Sequence, residues 1–127
     1  MHKPTPISGF PEWLPAQRLE EQRFLDTIRQ VYELYGYTSL ETSAVERVEV
    51  LQAKGEVDKE IYGLGRLRGQ TNRWELALHF DLTVPLARYV AQNYGDLTFP
   101  FKRYQIQKVW RGERPQEGRF REFYQAD

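Results

Sequence analysis

Side chains that could bind a nucleotide are concentrated in the last part of the chain. Two strand-like runs, residues 103–111 and 119–125, are separated by a short Pro/Gly-containing segment at 114–118, which predicts a hairpin. Because side chains alternate between the two faces of a strand, Arg111 and Glu113 share one face of the first strand. One face of the returning strand carries its odd-numbered residues, which are Arg119, Arg121, Phe123, Gln125 and Asp127.

If these two faces coincide, the hairpin presents guanidinium groups, a carboxylate, an aromatic ring and an amide on one surface. Guanidinium groups bind phosphate or carboxylate oxygens in pairs, an aromatic ring stacks on a base, and a carboxylate accepts a hydrogen bond from an exocyclic amine. The sequence has no glycine-rich phosphate loop of the Walker or Rossmann type, so a nucleotide would be bound by side chains on a sheet. The residue types leave one alternative open, a solvated hairpin face with ordinary ion pairs.

The composition limits the classes of protein to which the chain can belong. At 127 residues, with 40% hydrophobic residues, it is long enough for one domain with a core. Lys+Arg and Asp+Glu are equal at 18 each, so any attraction to nucleic acid must be local, and the excess of basic residues lies between positions 102 and 121. The absence of cysteine and the wide separation of His2 and His79 argue against a thiolate or histidine metal centre. With no long apolar run and no signal-like N-terminus, we expect a cytoplasmic protein without a membrane partner.

The elements that must position the hairpin are predicted from periodicity and from Pro and Gly. Helical spacing of apolar residues predicts a helix over residues 16–35, which ends at Gly36. Asp81 or Thr83 is predicted to cap a helix that ends near Asn93 and has Pro85 in its first turn. Strands at 37–42, 61–67 and 74–80 and a helix at 45–54 complete the prediction. This order favours an α+β fold in which helices flank a mostly antiparallel sheet.

Four stretches together resemble the histidyl-tRNA synthetase family of the class II aminoacyl-tRNA synthetases. The run RGERPQEGRFREFYQAD is similar to motif 2 of that class, and the similarity extends over almost the whole chain through YGYTSLETSAVE, HFDLTVPLARYVAQ and FPFKRYQIQKVWR. The resemblance implies a class II catalytic-domain fold. It also implies activation of histidine by ATP, accompanied by Mg²⁺, and transfer of the histidyl group to the 3′ end of tRNA(His).

The resemblance also implies roles for individual residues. Arg111 is expected to be the catalytic residue that holds the α-phosphate and the histidine carboxylate. Glu113 would meet the adenine amino group, Phe123 would stack on the adenine ring, and Arg119 would contact the outer phosphates. No protein-bound metal is expected at these positions.

The substrate histidine is expected to contact three further residues. Gln125 matches a histidine-binding position, and Asp81 with Thr83 matches the pair that orients the α-amino group. The residues alone favour a simpler interpretation of Asp81 and Thr83, as helix caps, and only the resemblance favours the binding role. His79 is expected to be a packed histidine rather than a base, because it lacks an orienting partner.

Some hairpin residues have simpler structural interpretations. Arg114, Arg121 and Glu122 could form ion pairs that stabilise the hairpin, which is the interpretation favoured for Glu122. Tyr104, Ile106 and Trp110 have the opposite parity from Arg111 and are predicted to be core.

The sequence departs from the family pattern in two places. Ser43 stands near the position where the family carries a proline, next to the helix and strand that are expected to form a homodimer interface. The third class motif and the anticodon-binding domain are expected beyond Asp127. Residues 1–127 are therefore interpreted as the N-terminal portion of a catalytic domain with little activity alone. The alternative function is that of a paralogue, the histidine-sensing regulatory subunit of ATP phosphoribosyltransferase, which does not aminoacylate tRNA.

Overall fold

The computed structural model describes residues 2–55, 60–69, 73–114 and 119–127. Three α-helices and seven short strands make up its regular structure, together with 3₁₀ turns at Gln52–Lys54 and Tyr94–Asp96. In chain order the elements are α1 Pro15–Leu34, β1 Thr38–Ser39, β2 Val45–Arg47, α2 Val48–Leu51, β3 Tyr62–Leu64, β4 Leu76–Leu78, α3 Thr83–Gln92, β5 Arg103–Tyr104, β6 Ile106–Trp110 and β7 Glu122–Ala126.

The strands form three small sheets, of which two are antiparallel. β2, β4 and β3 pair in that order, and β6 pairs with β7, whereas β1 and β5 are parallel. The main-chain N–H of Trp110 donates to the carbonyl of His79 at 3.1 Å and so connects β6 to the end of β4. The predicted α+β class with mostly antiparallel strands is confirmed.

Helix α1 has the predicted length and lies one residue earlier than predicted. Pro15 occupies its first turn, where a missing N–H costs no hydrogen bond. Gly36 follows the helix with a φ of +81°, a conformation that ends helices and favours glycine. Tyr32 stacks on Tyr104 of β5 with ring centroids 5.2 Å apart, which attaches the helix to the sheet. No residue of α1 is fully buried.

The predicted helix at 45–54 is wrong for its first three residues. Val45–Arg47 forms strand β2 and pairs with β4, and helix α2 begins only at Val48. The pairing with β4 overrides the local helical pattern. A turn at Ser43 precedes β2, in which the Oγ of Ser43 accepts a hydrogen bond from the N–H of Val45 at 3.1 Å.

The prediction for the buried face of β6 is also partly wrong. Tyr104 is buried as expected, but Ile106 and Trp110 are only half-buried. The buried residues have the other parity and are Gln105, Gln107 and Val109. Polar side chains occupy this buried face because they bond to the chain at Thr42. The amide of Gln107 donates to the Thr42 carbonyl at 2.7 Å and accepts from the Thr42 N–H at 3.1 Å.

The apolar core lies between the antiparallel sheet and the two short helices. Leu51, Ala77 and Val84 form its buried cluster, and Ile61 and Phe80 pack against it. An ion pair joins the same elements, since Arg88 of α3 binds the buried carboxylate of Glu46 in β2. Strand β4 thus runs from the core towards Phe80, next to the hairpin.

Candidate active site

The described end of the β6–β7 hairpin contains an open cleft of about 430 Å³. Its lining residues are Arg111, Glu113, Arg119, Phe120 and Phe123. All four residues to which the sequence assigned ATP contacts therefore lie around one cavity. The lining does not include Asp81, Thr83 or Gln125.

The strand register explains why these side chains meet. Val109 pairs with Phe123 and Trp110 with Glu122, so odd positions of one strand oppose odd positions of the other. The same register continues beyond β6, where the N–H of Arg111 donates to the carbonyl of Arg121 at 2.9 Å. Opposed residues of an antiparallel pair point to the same face. The predicted shared face is confirmed, while the predicted turn at residues 115–118 lies outside the described residues.

Two contacts fix the side chain of Arg111 in the cleft. Its Nε donates to the carbonyl of Phe80 at 3.1 Å, and its guanidinium carbon lies 5.1 Å from the centroid of the Phe123 ring. Within the described ranges, no partner occupies its two terminal nitrogens. The guanidinium of Arg111 is thus held through Nε, and its two terminal nitrogens are free to bind an anion in fork-like geometry.

Arg121 lies beside the cleft and bonds to the opposite arm of the hairpin. Its Nε donates to the main-chain carbonyl of Glu113 at 2.9 Å, so it makes a side-chain to main-chain bridge. Glu113 is half-buried, while Arg114 and Arg119 are exposed. Arg121 therefore braces the main chain at the residue expected to meet adenine.

The three predicted histidine-binding residues lie outside the lining of the cleft. Asp81 and Thr83 lie at the beginning of α3, and Gln125 lies in β7. Oδ1 of Asp81 accepts a hydrogen bond from the N–H of Val84 at 3.3 Å, so Asp81 does cap the first turn of α3. Thr83 is exposed at the start of that helix. Gln125 pairs with Gln107 across the hairpin, and its Oε1 is buried without a hydrogen-bond partner in the described part of the chain.

His79 and Glu122 have structural roles in the hairpin. His79 is buried, stacks on Trp110 at 5.7 Å, and donates from Nε2 to the carbonyl of Lys108 at 2.7 Å. The indole N–H of Trp110 donates to Glu122 at 2.7 Å, and Lys108 approaches the same carboxylate at 3.4 Å. The packed interpretation of His79 and the hairpin-stabilising interpretation of Glu122 are both confirmed.

Sequence reasoning did not single out four residues that shape this region. Phe80 and Gly9 act through main-chain carbonyls, which leave no signal in side-chain type. Phe120 lines the cleft from an even position, outside the strand alternation. Arg103 donates to the carbonyl of Leu82 at 3.3 Å and to Asp127 at 3.1 Å, which joins the start of α3 to the end of β7.

The described ranges of the chain show neither a metal-binding cluster nor a membrane-spanning helix. They contain no group of three or more His, Cys, Asp and Glu side chains placed to hold a metal ion. No helix in these ranges is long and apolar enough to cross a membrane.

The chain is similar to known proteins along almost its whole length. A family model described as histidyl-tRNA synthetase matches residues 9–126. The histidine–tRNA ligase of Thermobifida fusca is 62% identical over 128 residues, which cover 98% of this chain and 29% of that protein. That of Bifidobacterium animalis subsp. lactis is 61% identical over 133 residues and is covered over 28% of its length. The chain thus spans less than a third of the length of these curated relatives.

Two solved structures extend the comparison to the fold. Histidyl-tRNA synthetase from Nostoc sp. PCC 7120 superimposes with a TM-score of 0.83 at 54% identity, over 96% of this chain and 27% of that one. An ATP phosphoribosyltransferase regulatory subunit/histidyl-tRNA synthetase from Bacillus halodurans C superimposes with a TM-score of 0.77 at 26% identity, over 99% and 32%. Since the matching family model covers residues 9–126, the chain belongs to the histidyl-tRNA synthetase family.

Proposed function

We propose that this chain provides the ATP-facing part of a histidine–tRNA ligase. Such an enzyme converts histidine and ATP to histidyl-adenylate and pyrophosphate, then transfers the histidyl group to the 3′ end of tRNA(His) with release of AMP. The observation that carries the proposal is the single cleft around which Arg111, Glu113, Arg119 and Phe123 meet. The chain covers about 29% of the length of a curated ligase, which supports a role for residues 1–127 as the N-terminal portion of a class II catalytic domain.

In the first step, a carboxylate oxygen of histidine attacks the α-phosphorus and the bond to pyrophosphate breaks. No proton has to be transferred, so the protein contributes by orienting the reactants and by stabilising negative charge. The guanidinium of Arg111 suits this task, because the hydrogen bond from its Nε to the Phe80 carbonyl fixes the position of its terminal nitrogens. These nitrogens can bond to the α-phosphate and the carboxylate at once.

The other cleft residues would bind the parts of ATP that do not react. Phe123 offers an aromatic ring for adenine, and stacking of a base on an aromatic ring contributes about 1–3 kcal/mol. Glu113 offers a carboxylate for the exocyclic amine, while Arg119 is exposed at the mouth of the cleft and suits the outer phosphates. Mg²⁺ is expected to arrive with the triphosphate, whose oxygens it prefers as ligands.

Gln125, Asp81 and Thr83 are proposed to bind the substrate histidine. The buried Oε1 of Gln125 is an acceptor without a partner in the described ranges, which suits an imidazole N–H. Asp81 uses one carboxylate oxygen as a cap and has a second one for an ammonium group. Its cap role therefore fixes the carboxylate without excluding a ligand. A cytoplasmic location is part of the same proposal, because tRNA is charged where it is used in translation.

The paralogous regulatory subunit is the second candidate function. The likeness to the structure titled as an ATP phosphoribosyltransferase regulatory subunit/histidyl-tRNA synthetase is what favours it. Sequence identity is 26% to that protein but 62% to a curated ligase. A histidine sensor also has less need of a complete ATP face. Both comparisons favour the ligase.

A chimeric ligase tests the proposed activity. Residues 1–127 would replace the aligned segment of the Thermobifida fusca enzyme, to which they are 62% identical. We expect histidine-dependent ATP–pyrophosphate exchange, measured with labelled pyrophosphate, and no exchange with the other amino acids. A folded chimera that binds histidine in calorimetry but exchanges no pyrophosphate would contradict the ligase and favour the sensor.

We also propose that the chain forms a homodimer through α1 and the strand that follows it. Helix α1 has no fully buried residue, and its apolar side chains are exposed at Phe24 (68%), Val31 (47%) and Leu34 (84%). Exposed apolar side chains on one helix are typical of an interface that a partner covers.

Sedimentation velocity tests the dimer. We expect the chain to sediment as a dimer and the Phe24→Asp variant to shift towards monomer, because a carboxylate would be buried in the interface. Gln22→Asp adds the same charge at an exposed polar position about 160° around α1 from Phe24 and should leave the dimer unchanged. Monomer alone at the highest attainable concentration of the unsubstituted chain would contradict the proposal.

A further inference from the structure

The segment before α1, residues 2–14, forms a lead-in that is attached to the hairpin that carries the cleft. The carbonyl of Gly9 accepts hydrogen bonds from the N–H groups of Arg121, at 2.7 Å, and Glu122, at 3.1 Å. Trp13 packs edge-on against Phe120, with ring centroids 6.3 Å apart. The start of β7 is therefore held by a segment more than 100 positions earlier in the chain.

Gly9 lies against the side chain of Arg121, in a position and a backbone conformation that both favour glycine. Its φ is +87°, in the left-handed region that favours glycine. A Cβ at position 9 would lie 2.8 Å from Cγ and 2.9 Å from Cδ of Arg121, well inside van der Waals contact. The absence of a side chain at Gly9 thus leaves room for the stem of Arg121.

The path of this stem determines which atom the guanidinium reaches. After passing Gly9, Arg121 donates from Nε to the carbonyl of Glu113 at 2.9 Å. Glu113 lines the cleft, whereas Arg121 does not. Arg121 therefore influences the cleft through the main chain of Glu113.

We propose that Gly9 and Arg121 are positioning residues for the adenine end of the nucleotide site. Gly9 leaves the space through which Arg121 reaches Glu113, and Arg121 holds the Glu113 main chain so that its carboxylate faces the cleft. The inference rests on the proposed function in taking ATP as the nucleotide. It adds a contribution from the lead-in, whose Trp13 packs on the lining residue Phe120.

A double-substitution cycle in the chimeric ligase tests this coupling. Gly9→Ala and Arg121→Ala are each expected to raise the ATP KM about five-fold, the effect of losing one ordinary hydrogen bond. The kcat and the histidine KM should change little, because Arg111 and Gln125 are untouched. The double variant should be no worse than either single variant, because both remove the same bridge.

Gly69→Ala is the matched control for backbone strain. Gly69 has the same φ of +87°, but a Cβ there would meet nothing within 4 Å. Its ATP KM should equal that of the unsubstituted chimera. A multiplicative double variant, or equal effects of Gly69→Ala and Gly9→Ala, would overturn the proposal.

The same set of variants can be compared by their ATP Kd, measured by calorimetry, which tests the positioning role independently of the proposed reaction. A chimera that binds ATP with the expected coupling but exchanges no pyrophosphate would retain the positioning role and refute the ligase. Should Gly9→Ala fail to fold, Arg121→Ala keeps the Gly9 conformation, and an unchanged ATP Kd in that variant overturns the proposal by itself. Absence of ATP binding to the unsubstituted chimera overturns both.

Discussion

Replacing Arg111 by alanine is expected to lower the kcat of histidine-dependent pyrophosphate exchange by at least about 100-fold, the range found when a preorganised group that stabilises transition-state charge is removed. The guanidinium is anchored by Phe80 on one edge and lies over Phe123, so its position is set before substrate binds. A preorganised cation requires no rearrangement as charge develops on the α-phosphate. The loss should therefore fall mainly on kcat, measured in the chimeric ligase.

Two further variants separate this role from a change in charge or fold. Arg111→Lys keeps the charge but lacks the planar fork and the Nε that bonds to Phe80, so exchange should recover only in part. Arg23→Ala removes an arginine whose side chain is 66% exposed in an ion pair with Glu20, and exchange should be unchanged. Exchange by Arg111→Ala within about three-fold of the unsubstituted chimera, far from the expected loss, would refute the assignment.

The faces of the hairpin could be predicted from sequence because strand alternation has a period of two. That period places Arg111 and Glu113 on one face of the first strand. In the observed register odd-numbered residues oppose odd-numbered residues, as Val109 opposes Phe123, so the odd-numbered residues of the returning strand lie on the same face. The sequence does not give the register of the hairpin. Only two kinds of register are possible, because odd positions of one strand oppose either odd or even positions of the other. The geometry of the cleft was therefore accessible once the resemblance had indicated what its side chains bind.

The anchoring of the cleft could not be predicted, because it depends on main-chain atoms from distant segments. Phe80 and Gly9 contribute carbonyl oxygens, which every residue carries. A glycine at position 9 is compatible with a left-handed backbone, but the sequence does not indicate that Arg121 lies against it. The buried face of β6 was predicted wrongly for a related reason. The parity opposite to that of Arg111 favoured Ile106 and Trp110, but Gln105 and Gln107 are buried instead, because the segment at Thr42 supplies hydrogen bonds to both.

Replacing Arg88 by alanine is expected to destabilise the fold by about 3–5 kcal/mol, because it would leave the carboxylate of Glu46 without its partner. The side chain of Glu46 is 3% exposed, and Arg88 binds both of its oxygens, with Nη2 2.7 Å from Oε1. A loss of this size is a large share of the stability of a typical domain. It should appear as a lower urea midpoint, or as loss of the cooperative transition.

The size of this effect depends on burial, which a second ion pair of the chain can test. Arg29→Ala breaks the pair with Asp26 on α1, whose side chains are 42% and 52% exposed, and should cost less than about 1 kcal/mol. Replacing both Glu46 and Arg88 by methionine should recover most of the loss, because no charge is then left buried. Equal midpoints for Arg88→Ala and Arg29→Ala would contradict the argument. A large loss confined to Arg88→Ala would support the buried Arg88–Glu46 pair as the contact that joins α3 to β2.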